Sequence, residues 1–314
     1  MENKQDIWYC IMNPTAGKHE YHKVWNEIEN GLKNHSVDYR IYFTKSKKDA
    51  EHKTIKFIEE GFRNFIAIGG DGTVHEVVNG MMKQKSVDKK DLLLAVIPIG
   101  TGNDWAKHHG ITADIDDICK NIINKKTGIQ DIGITKFISE GKEKIEYFNN
   151  VAGMAYDAFV VEKLEQRIKK PNKLNYILSI LKYLFQYKLQ KAKIFIKNEI
   201  IEGKFYTINV GICKFSGGGM SLVPHAIHDD GLFAVTIAGN LSKIDVILNT
   251  YRFYNFSLTQ HPKIKSFQVN TLKVEGMNNQ PIALELDGEM TGYSPVEFSI
   301  LTDALRFIDS YQIY

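Results

Sequence analysis

The stretch GGDGTVHEVVNG, Gly69 to Gly80, follows the short apolar run FIAI and leads into a helix-like pattern. A strand that ends in glycines and is followed by a helix is typical of phosphate sites. Glycine lets bare backbone N–H groups approach an anion, and the helix N-terminus is positive. Asp71 would repel phosphate, which makes sense if Mg²⁺ lies between them or if the carboxylate takes a proton from an attacking hydroxyl. Taken alone, the stretch also fits an ordinary turn.

Two further turns of this kind follow predicted strands, NPTAGK (Asn13–Lys18) and IGTGNDWA (Ile99–Ala106). Ligands of open parallel sheets bind beyond the carboxyl ends of the strands, where three such turns would meet. The pattern is not a Walker A motif, because His19 follows Lys18 where that motif has Ser or Thr. The three turns together favour phosphate binding over three unrelated turns.

Strand and helix signals alternate up to about residue 130, which predicts an open parallel α/β domain over residues 1–130. Beyond it, short strand-like runs separated by Gly, Asn and Asp predict an antiparallel, β-sandwich-like domain over 131–294. Helical patterns interrupt the second part at 157–170, 173–188 and about 243–254. The predicted fold class is therefore α/β plus β.

Composition narrows the class of protein. A formal net charge of +3 over 314 residues argues against a dedicated nucleic-acid binder. The three cysteines, Cys10, Cys119 and Cys213, match neither a disulfide framework nor zinc-site spacing. The N-terminus is too polar for a signal peptide, and no apolar run is long enough to span a membrane. These features predict a cytoplasmic protein.

The three turns resemble motifs of the diacylglycerol kinase catalytic-domain family, which includes bacterial lipid kinases and sphingosine kinases. Three later segments also resemble that family, in the same order: FNNVAGMAYDAFV, SGGGMSLVPHAIHDDGLFAVTI and ALELDGE. The likeness covers nearly the whole chain. It implies an ATP-dependent kinase that acts on a lipid hydroxyl, with an active site in the cleft between two domains. It also implies that the last strands, over 295–314, complete the first domain.

The resemblance and the turns together assign candidate site residues. The nucleotide-binding set is Asn13, Lys18, Gly69, Gly70, Gly72, Thr73, Gly100, Thr101, Gly102 and Asn103. Asp71 and Asp104 are expected to hold Mg²⁺, and Asp230 is expected to belong to a separate structural metal site. Asp287 is the proposed general base, although Asp71 competes for that role. From the sequence alone, Asp287-Gly288 also reads as a hairpin turn.

The segment from Lys163 to Lys197 holds ten basic residues and one acidic residue, Glu165. It reads either as the solvated face of a helix or as a surface that contacts anionic membranes. A lipid kinase must reach a bilayer, which favours peripheral membrane association. A homodimer stays open.

Diacylglycerol is the first expected acceptor, with sphingoid bases, other glycerolipids and polyprenols as alternatives. Two other functions stay open, an NAD kinase-like enzyme and a nucleotide-binding lipid sensor without turnover.

Overall fold

The computed structural model describes residues 4–17, 20–166 and 182–310. The chain forms two compact units. The first comprises the residues up to Ile132 together with those from Leu301, and the second comprises Gly133–Ile300. The chain passes from the first unit to the second within one long strand and returns within another.

The first unit is an alternating series of strands and helices. Its elements are β1 (Trp8–Met12), α1 (Tyr21–Asn34), β2 (Tyr39–Phe43), α2 (Asp49–Glu59), β3 (Asn64–Gly69), α3 (Asp71–Lys83), β4 (Leu93–Pro98), α4 (Asp104–His108) and α5 (Ile115–Ile123).

These strands form a parallel sheet in the order β2–β1–β3–β4, and Phe307 near the end of the chain pairs in parallel with Leu94 of β4. Successive side chains of a strand point to opposite faces, so both faces need cover. Residues of α1 and α5 join alternate strand residues in one buried cluster. On the other face, the ring of Tyr9 stacks on Phe57 of α2 with centroids 3.6 Å apart.

The second unit is mainly antiparallel. Its elements are β5 (Thr127–Ser139), β6 (Lys142–Phe148), β7 (Val151–Ala155), α6 (Tyr156–Glu165), β8 (Gln190–Ile196), β9 (Glu199–Phe205), β10 (Thr207–Gly211), β11 (Phe215–Ser216), β12 (Met220–Ser221), β13 (Phe233–Ala238), α7 (Lys243–Leu248), β14 (Ile264–Val269), β15 (Thr271–Gly276), β16 (Ala283–Leu286) and β17 (Glu289–Ile308).

One antiparallel series runs β14–β13–β10–β7–β16–β17, and a second runs β9–β8–β15–β17. The long strand β17 belongs to both, because residues before Pro295 pair with β16 and those after it pair with β15. The predicted fold class, a parallel α/β unit followed by an antiparallel β unit, is confirmed.

Two of the predicted helices differ from their predicted bounds. The helix predicted over 157–170 is α6, which ends at Glu165, and residues 167–170 of the predicted range lie outside the described residues. The helix predicted over 243–254 ends at Leu248 and is followed by a 3₁₀ turn, Thr250–Phe253. At this end the Asn249 amide donates to the carbonyl of Asp245 and the Thr250 hydroxyl donates to that of Val246.

The third predicted helix, 173–188, falls largely outside the described residues, which resume with helical residues 182–186. Within the described ranges, every helix is too short or too polar to cross a bilayer.

Candidate functional site

The three glycine-bearing turns of the first unit start from one edge of its parallel sheet. β1, β3 and β4 end in register, with Met12 opposite Ile68 and Gly69 opposite Pro98. The N–H groups of Ile99 and Gly100 both donate to the carbonyl of Gly69, at 2.9 and 3.2 Å. The turns after β3 and β4 are therefore tied together through backbone.

Glycine is required where the turns touch. Gly17 has φ +75°, and a Cβ on it would lie 2.5 Å from the carbonyl oxygen of Ile99. A Cβ on Gly100 would lie 2.5 Å from the Cα of Gly70. Real Cβ atoms do not approach other atoms this closely, so the turns can pack only as bare backbone. The sequence expectation that these turns converge is met at these contacts.

Helix α3 begins at Asp71, directly after the extended residue Gly70. The first N–H groups of a helix have no partner within it, so this end of α3 presents donors and a partial positive charge. Thr73 is buried and its N–H donates to the carbonyl of Gly70 at 2.9 Å. A Cβ on Gly69 would collide with the Thr73 hydroxyl, 2.1 Å away. Gly69 and Thr73 therefore shape the start of α3.

Two carboxylates converge on Gly102, in the turn after β4. A Cβ on Gly102 would lie 2.9 Å from Asp71 Oδ2 and 3.6 Å from Asp104 Oδ2. Asp104 is 4% exposed, while Gly102 and Thr101 are exposed. Two neighbouring carboxylates repel each other when both are ionised, and a hard cation relieves that repulsion with the oxygen ligands it prefers. The donor set therefore fits a divalent ion such as Mg²⁺.

Asn103 links this turn to α4 from a left-handed conformation, with φ 53° and ψ 44°. Asn tolerates that region better than most residues. Its Nδ2 group donates to the carbonyl of Gly100 at 3.0 Å. Its Oδ1 atom is buried without a hydrogen-bond partner in the described structure. A buried acceptor of this kind is costly unless a ligand donor or ion completes it.

The turn after β1 is closed by the side chain of Asn13. Asn13 Oδ1 accepts from the N–H of Thr15 at 3.0 Å and from its hydroxyl at 2.9 Å. This is the usual behaviour of Asn in tight turns. A nucleotide contact by Asn13 stays a prediction, and Lys18 lies outside the described residues.

The buried side chain of Gln130, which contacts α4 and the residue after it, was not identified from the sequence. Gln130 Oε1 lies 2.9 Å from Trp105 Nε1 and 2.7 Å from His109 Nε2. The indole N–H is only a donor, so the atom facing it is the amide oxygen, and His109 must then carry its proton on Nε2. These two hydrogen bonds hold Trp105 of α4 and the neighbouring His109 in place. No sequence signal connects Gln130 with Trp105, 25 residues earlier.

In the second unit, Asp287 and Gly288 form the two-residue loop between β16 and β17, with φ 51° and 85°. Positive φ at both positions is typical of a type I′ hairpin, as Asp-Gly predicts. The Asp287 side chain also accepts three backbone N–H groups, from Asn149 (3.0 Å), Asn150 (2.9 Å) and Val151 (3.2 Å). It is 7% exposed. The predicted hairpin turn is confirmed and its aspartate is a buried carboxylate, while the role of Asp287 as general base stays a prediction.

Glu285, which is buried, and Asp157, which is half-buried, form an acidic pair beside Gly153 that the sequence reasoning missed. Burial, reinforced by the charge of Asp157, raises the pKa of Glu285 well above its usual range. Burial raises the pKa of Asp157 to about 6, against hydrogen bonds from Thr207 and Asn209. Glu285 Oε2 accepts the N–H of Gly288 at 2.7 Å, so the pair adjoins the Asp287 turn. A single acid within each apolar run, AYDAF and ALEL, was the available signal.

Asp230 lies exposed in a turn, where Oδ1 accepts the N–H of Leu232 at 2.9 Å. Gln268 Nε2 approaches its Oδ2 at 3.5 Å. These contacts account for a turn residue, and a structural metal at Asp230 stays a prediction.

Comparison with known proteins agrees with the order of these motifs. Residues 8–134 match the family described as the diacylglycerol kinase catalytic domain. Residues 150–309 match the family described as the YegS C-terminal NAD kinase beta sandwich-like domain.

Individual relatives cover nearly the whole chain. A diacylglycerol kinase of Staphylococcus epidermidis is 29% identical over 298 residues, 92% of this chain and 87% of the relative. One of Staphylococcus haemolyticus is 27% identical over 307 residues, 97% and 88% of the two chains. A crystal structure of a diacylglycerol kinase from Bacillus anthracis strain Sterne covers 98% of both chains with a TM-score of 0.71 at 20% identity, which is a likeness of fold.

Proposed function

Because the chain belongs to the diacylglycerol kinase catalytic-domain family, we propose that it transfers the γ-phosphoryl group of ATP to a lipid hydroxyl. Diacylglycerol is the first acceptor to test. The observation that carries the proposal is that the Asp71 and Asp104 carboxylates both lie close to Gly102. The glycine turns lie beside them, at the N-terminus of α3.

The first unit would hold the nucleotide. Gly70 and Gly100 are half-buried beside the N-terminus of α3 and place no side chain there, which suits the phosphates of ATP. The buried Asn103 Oδ1 atom awaits a donor from the bound nucleotide or a coordinated ion. Thr101 and Gly102, in the turn after β4, are exposed on the solvent side of this proposed nucleotide site. Proposed contacts by Asn13, Gly69, Gly72 and Thr73 belong to the same set.

Asp71 and Asp104 would hold Mg²⁺. When bound, the ion neutralises charge on the phosphates as the bond to the leaving ADP breaks. The chain itself orients Asp71 through the N–H of Trp105, 3.2 Å from Oδ1. The interior location of Asp104 strengthens its electrostatic interaction with any cation, since the effective dielectric constant there is lower than in water.

Asp287 would act on the lipid. The acceptor hydroxyl oxygen attacks the γ-phosphorus, its proton passes to the Asp287 carboxylate, and ADP leaves with the electron pair of the broken bond. Three backbone N–H groups fix the carboxylate plane, which suits a group that must meet one particular proton. Asp71 keeps the organising role in this division.

Because the proposed acceptor is a lipid, we also propose that the protein is cytoplasmic and associates peripherally with anionic membranes. The basic segment Lys163–Lys197 is the proposed electrostatic contact. Its central residues, 167–181, lie outside the described structure.

The deciding experiment incubates the protein with radiolabelled ATP and Mg²⁺, separately with a bacterial lipid extract, purified diacylglycerol, sphingosine and NAD⁺. We expect label to enter the organic phase, with the mobility of phosphatidic acid in the diacylglycerol reaction. A mock purification from cells that carry the empty vector serves as the control for contaminating kinases. Label in NADP⁺ alone would assign the protein to NAD phosphorylation. ATP binding without any labelled product would favour the lipid sensor.

A further inference from the structure

Large apolar side chains are concentrated on one stretch of the second unit. Thirteen large apolar residues of the described structure are exposed, and six of them lie between residues 244 and 256. These six are Ile244 (68%), Ile247 (41%), Leu248 (68%), Tyr251 (54%), Tyr254 (60%) and Phe256 (51%). Single exposed apolar residues are ordinary, whereas a contiguous patch marks an interaction surface.

The apolar face of α7 points away from the unit, whereas the apolar face of an ordinary surface helix packs against the core. Ile244, Ile247 and Leu248 stand at i, i+3 and i+4, a spacing that normally faces a core. Here they face outward, and α7 contains no buried residue.

Polar side chains of the same segment point the other way and are satisfied there. Asp245 pairs with Lys263 at 2.8 Å, and Arg252 Nε donates to Asn249 Oδ1 at 2.8 Å. Asp245, Asn249 and Arg252 line a cavity with about 480 Å³ of empty space, part of it open to solvent. Val246 and Phe253 of the same segment line this cavity too, so the inward side carries apolar as well as polar groups, whereas Ile244, Ile247 and Leu248 remain exposed.

Basic and aromatic groups border the apolar stripe. Lys243 Nζ donates to the carbonyl of Phe185 and lies 5.6 Å from the centre of its ring. Phe185 is 61% exposed, and exposed Lys182 and Lys188 lie three residues to either side of it along the chain. Tyrosine and lysine at the edge of an apolar surface suit the headgroup region of a bilayer containing anionic lipids.

We propose that the apolar patch, Phe185 with residues 244–256, inserts into the interfacial layer of an anionic bilayer. The acyl region receives Ile244, Ile247 and Leu248, while the tyrosines and Lys243 stay among the headgroups. This surface shares Phe185 with the basic segment and adds apolar insertion to the electrostatic contact suggested there. The choice of a bilayer as partner rests on the proposed function, since a kinase of lipids must reach a membrane.

The test is sedimentation of the full-length protein with vesicles of mixed phosphatidylglycerol and phosphatidylcholine, without nucleotide or acceptor lipid. We expect the double variant Ile244→Glu/Leu248→Glu to bind at least ~10-fold more weakly, because both side chains lose their transfer into the bilayer. The matched control is Ile145→Glu/Ile200→Glu, two residues of the same unit that are 52% and 57% exposed. It adds the same charge and should bind like the wild type.

A second variant, Ile244→Ser/Leu248→Ser, removes the apolar groups without adding charge and should also bind more weakly. All variants should keep the wild-type melting temperature, because the changed side chains are exposed. Equal vesicle binding by the Ser variant and the wild type would overturn the inference. So would a wild-type dimer that the variants dissociate while vesicle binding is unchanged, since a second copy would then cover the patch. The readout involves no turnover, so it can fail or succeed independently of the kinase proposal.

Discussion

Asp71 Oδ1 accepts the backbone N–H of Trp105 at 3.2 Å, so the first residue of α3 caps the first turn of α4. One carboxylate therefore joins two glycine turns while its other oxygen faces Gly102. A structural use and a proposed metal-binding use are combined in a single side chain, and substitution can separate them.

Substitution of Asp71 should separate folding from nucleotide binding. Asp71→Asn keeps an acceptor for Trp105 and should melt within a few degrees of the wild type. Asp71→Ala loses that acceptor and should be less stable by about 1 kcal/mol, the usual worth of a helix cap. Both variants should bind ATP more weakly and depend less on Mg²⁺. Thermal melting and calorimetric ATP titration, with and without Mg²⁺, measure the two effects. Unchanged Mg²⁺ dependence in both variants would remove Asp71 from the metal site.

Substitution of Gly100 should disrupt the packing of the turns after β3 and β4, which form the proposed nucleotide site. A Cβ there would lie 2.5 Å from the Cα of Gly70 and 2.7 Å from Asn103 Oδ1, so Gly100→Ala must force the turns apart. We expect a loss of about 1–3 kcal/mol in stability, typical of overpacking, and at least ~10-fold weaker ATP binding. Gly203→Ala is the control, because a Cβ there would lie 3.7 Å from the Phe205 ring, an ordinary contact distance. Wild-type ATP affinity in Gly100→Ala would show that the glycine contact does not shape the nucleotide site.

Asp287→Asn should lose both turnover and some stability. The amide nitrogen that replaces one oxygen cannot accept an N–H, so at least one of the three backbone hydrogen bonds is lost. A hydrogen bond to a charged group contributes about 2 kcal/mol, and we expect that loss of unfolding free energy. If Asp287 is the base, turnover falls ~10²–10⁴-fold while ATP affinity holds.

The same assays on Asp71→Asn test the division of roles. A fully active Asp287→Asn enzyme would exclude Asp287 as the base. Loss of turnover in both variants with ATP affinity intact would mean that the two carboxylates act as one unit.

Stability should depend on pH through Asp157. Burial raises the pKa of Asp157 to about 6, above its unfolded value of 3.8, so the folded state holds a proton that the unfolded chain has released. This contribution to stability is fully present below the unfolded pKa and is lost as pH rises through about 6. Asp157→Asn should flatten the dependence of unfolding free energy on pH over that window. The slope that remains belongs in part to Glu285, whose pKa is also raised.

Urea denaturation at a series of pH values checks this expectation. Asp229→Asn, an exposed aspartate of the same unit, is the control and should keep the wild-type slope. An Asp157→Asn variant with the wild-type slope would show that Asp157 does not titrate in this window.

The sequence by itself determined the features that depend on neighbouring residues. Alternating strand and helix patterns predicted the parallel sheet, because hydrophobic periodicity follows directly from backbone geometry. Asp287-Gly288 predicted its hairpin turn, since only a few residue pairs accept positive φ at both positions. The glycine turns were predictable because glycines follow predicted strands in the sequence, and a parallel sheet necessarily places its strand ends at one edge.

Only the tertiary structure decided which side chains meet and which face water. The pairing of Glu285 with Asp157 brings together residues 128 positions apart, and their pKa values shift because burial lowers the local dielectric constant. The spacing of Ile244, Ile247 and Leu248 predicts an apolar stripe but not its direction. In the structure these three side chains are exposed, while Val246 and Phe253 of the same segment line a cavity of the unit. Burial, charge pairing and exposure depend on distant parts of the chain, so a local pattern cannot contain them.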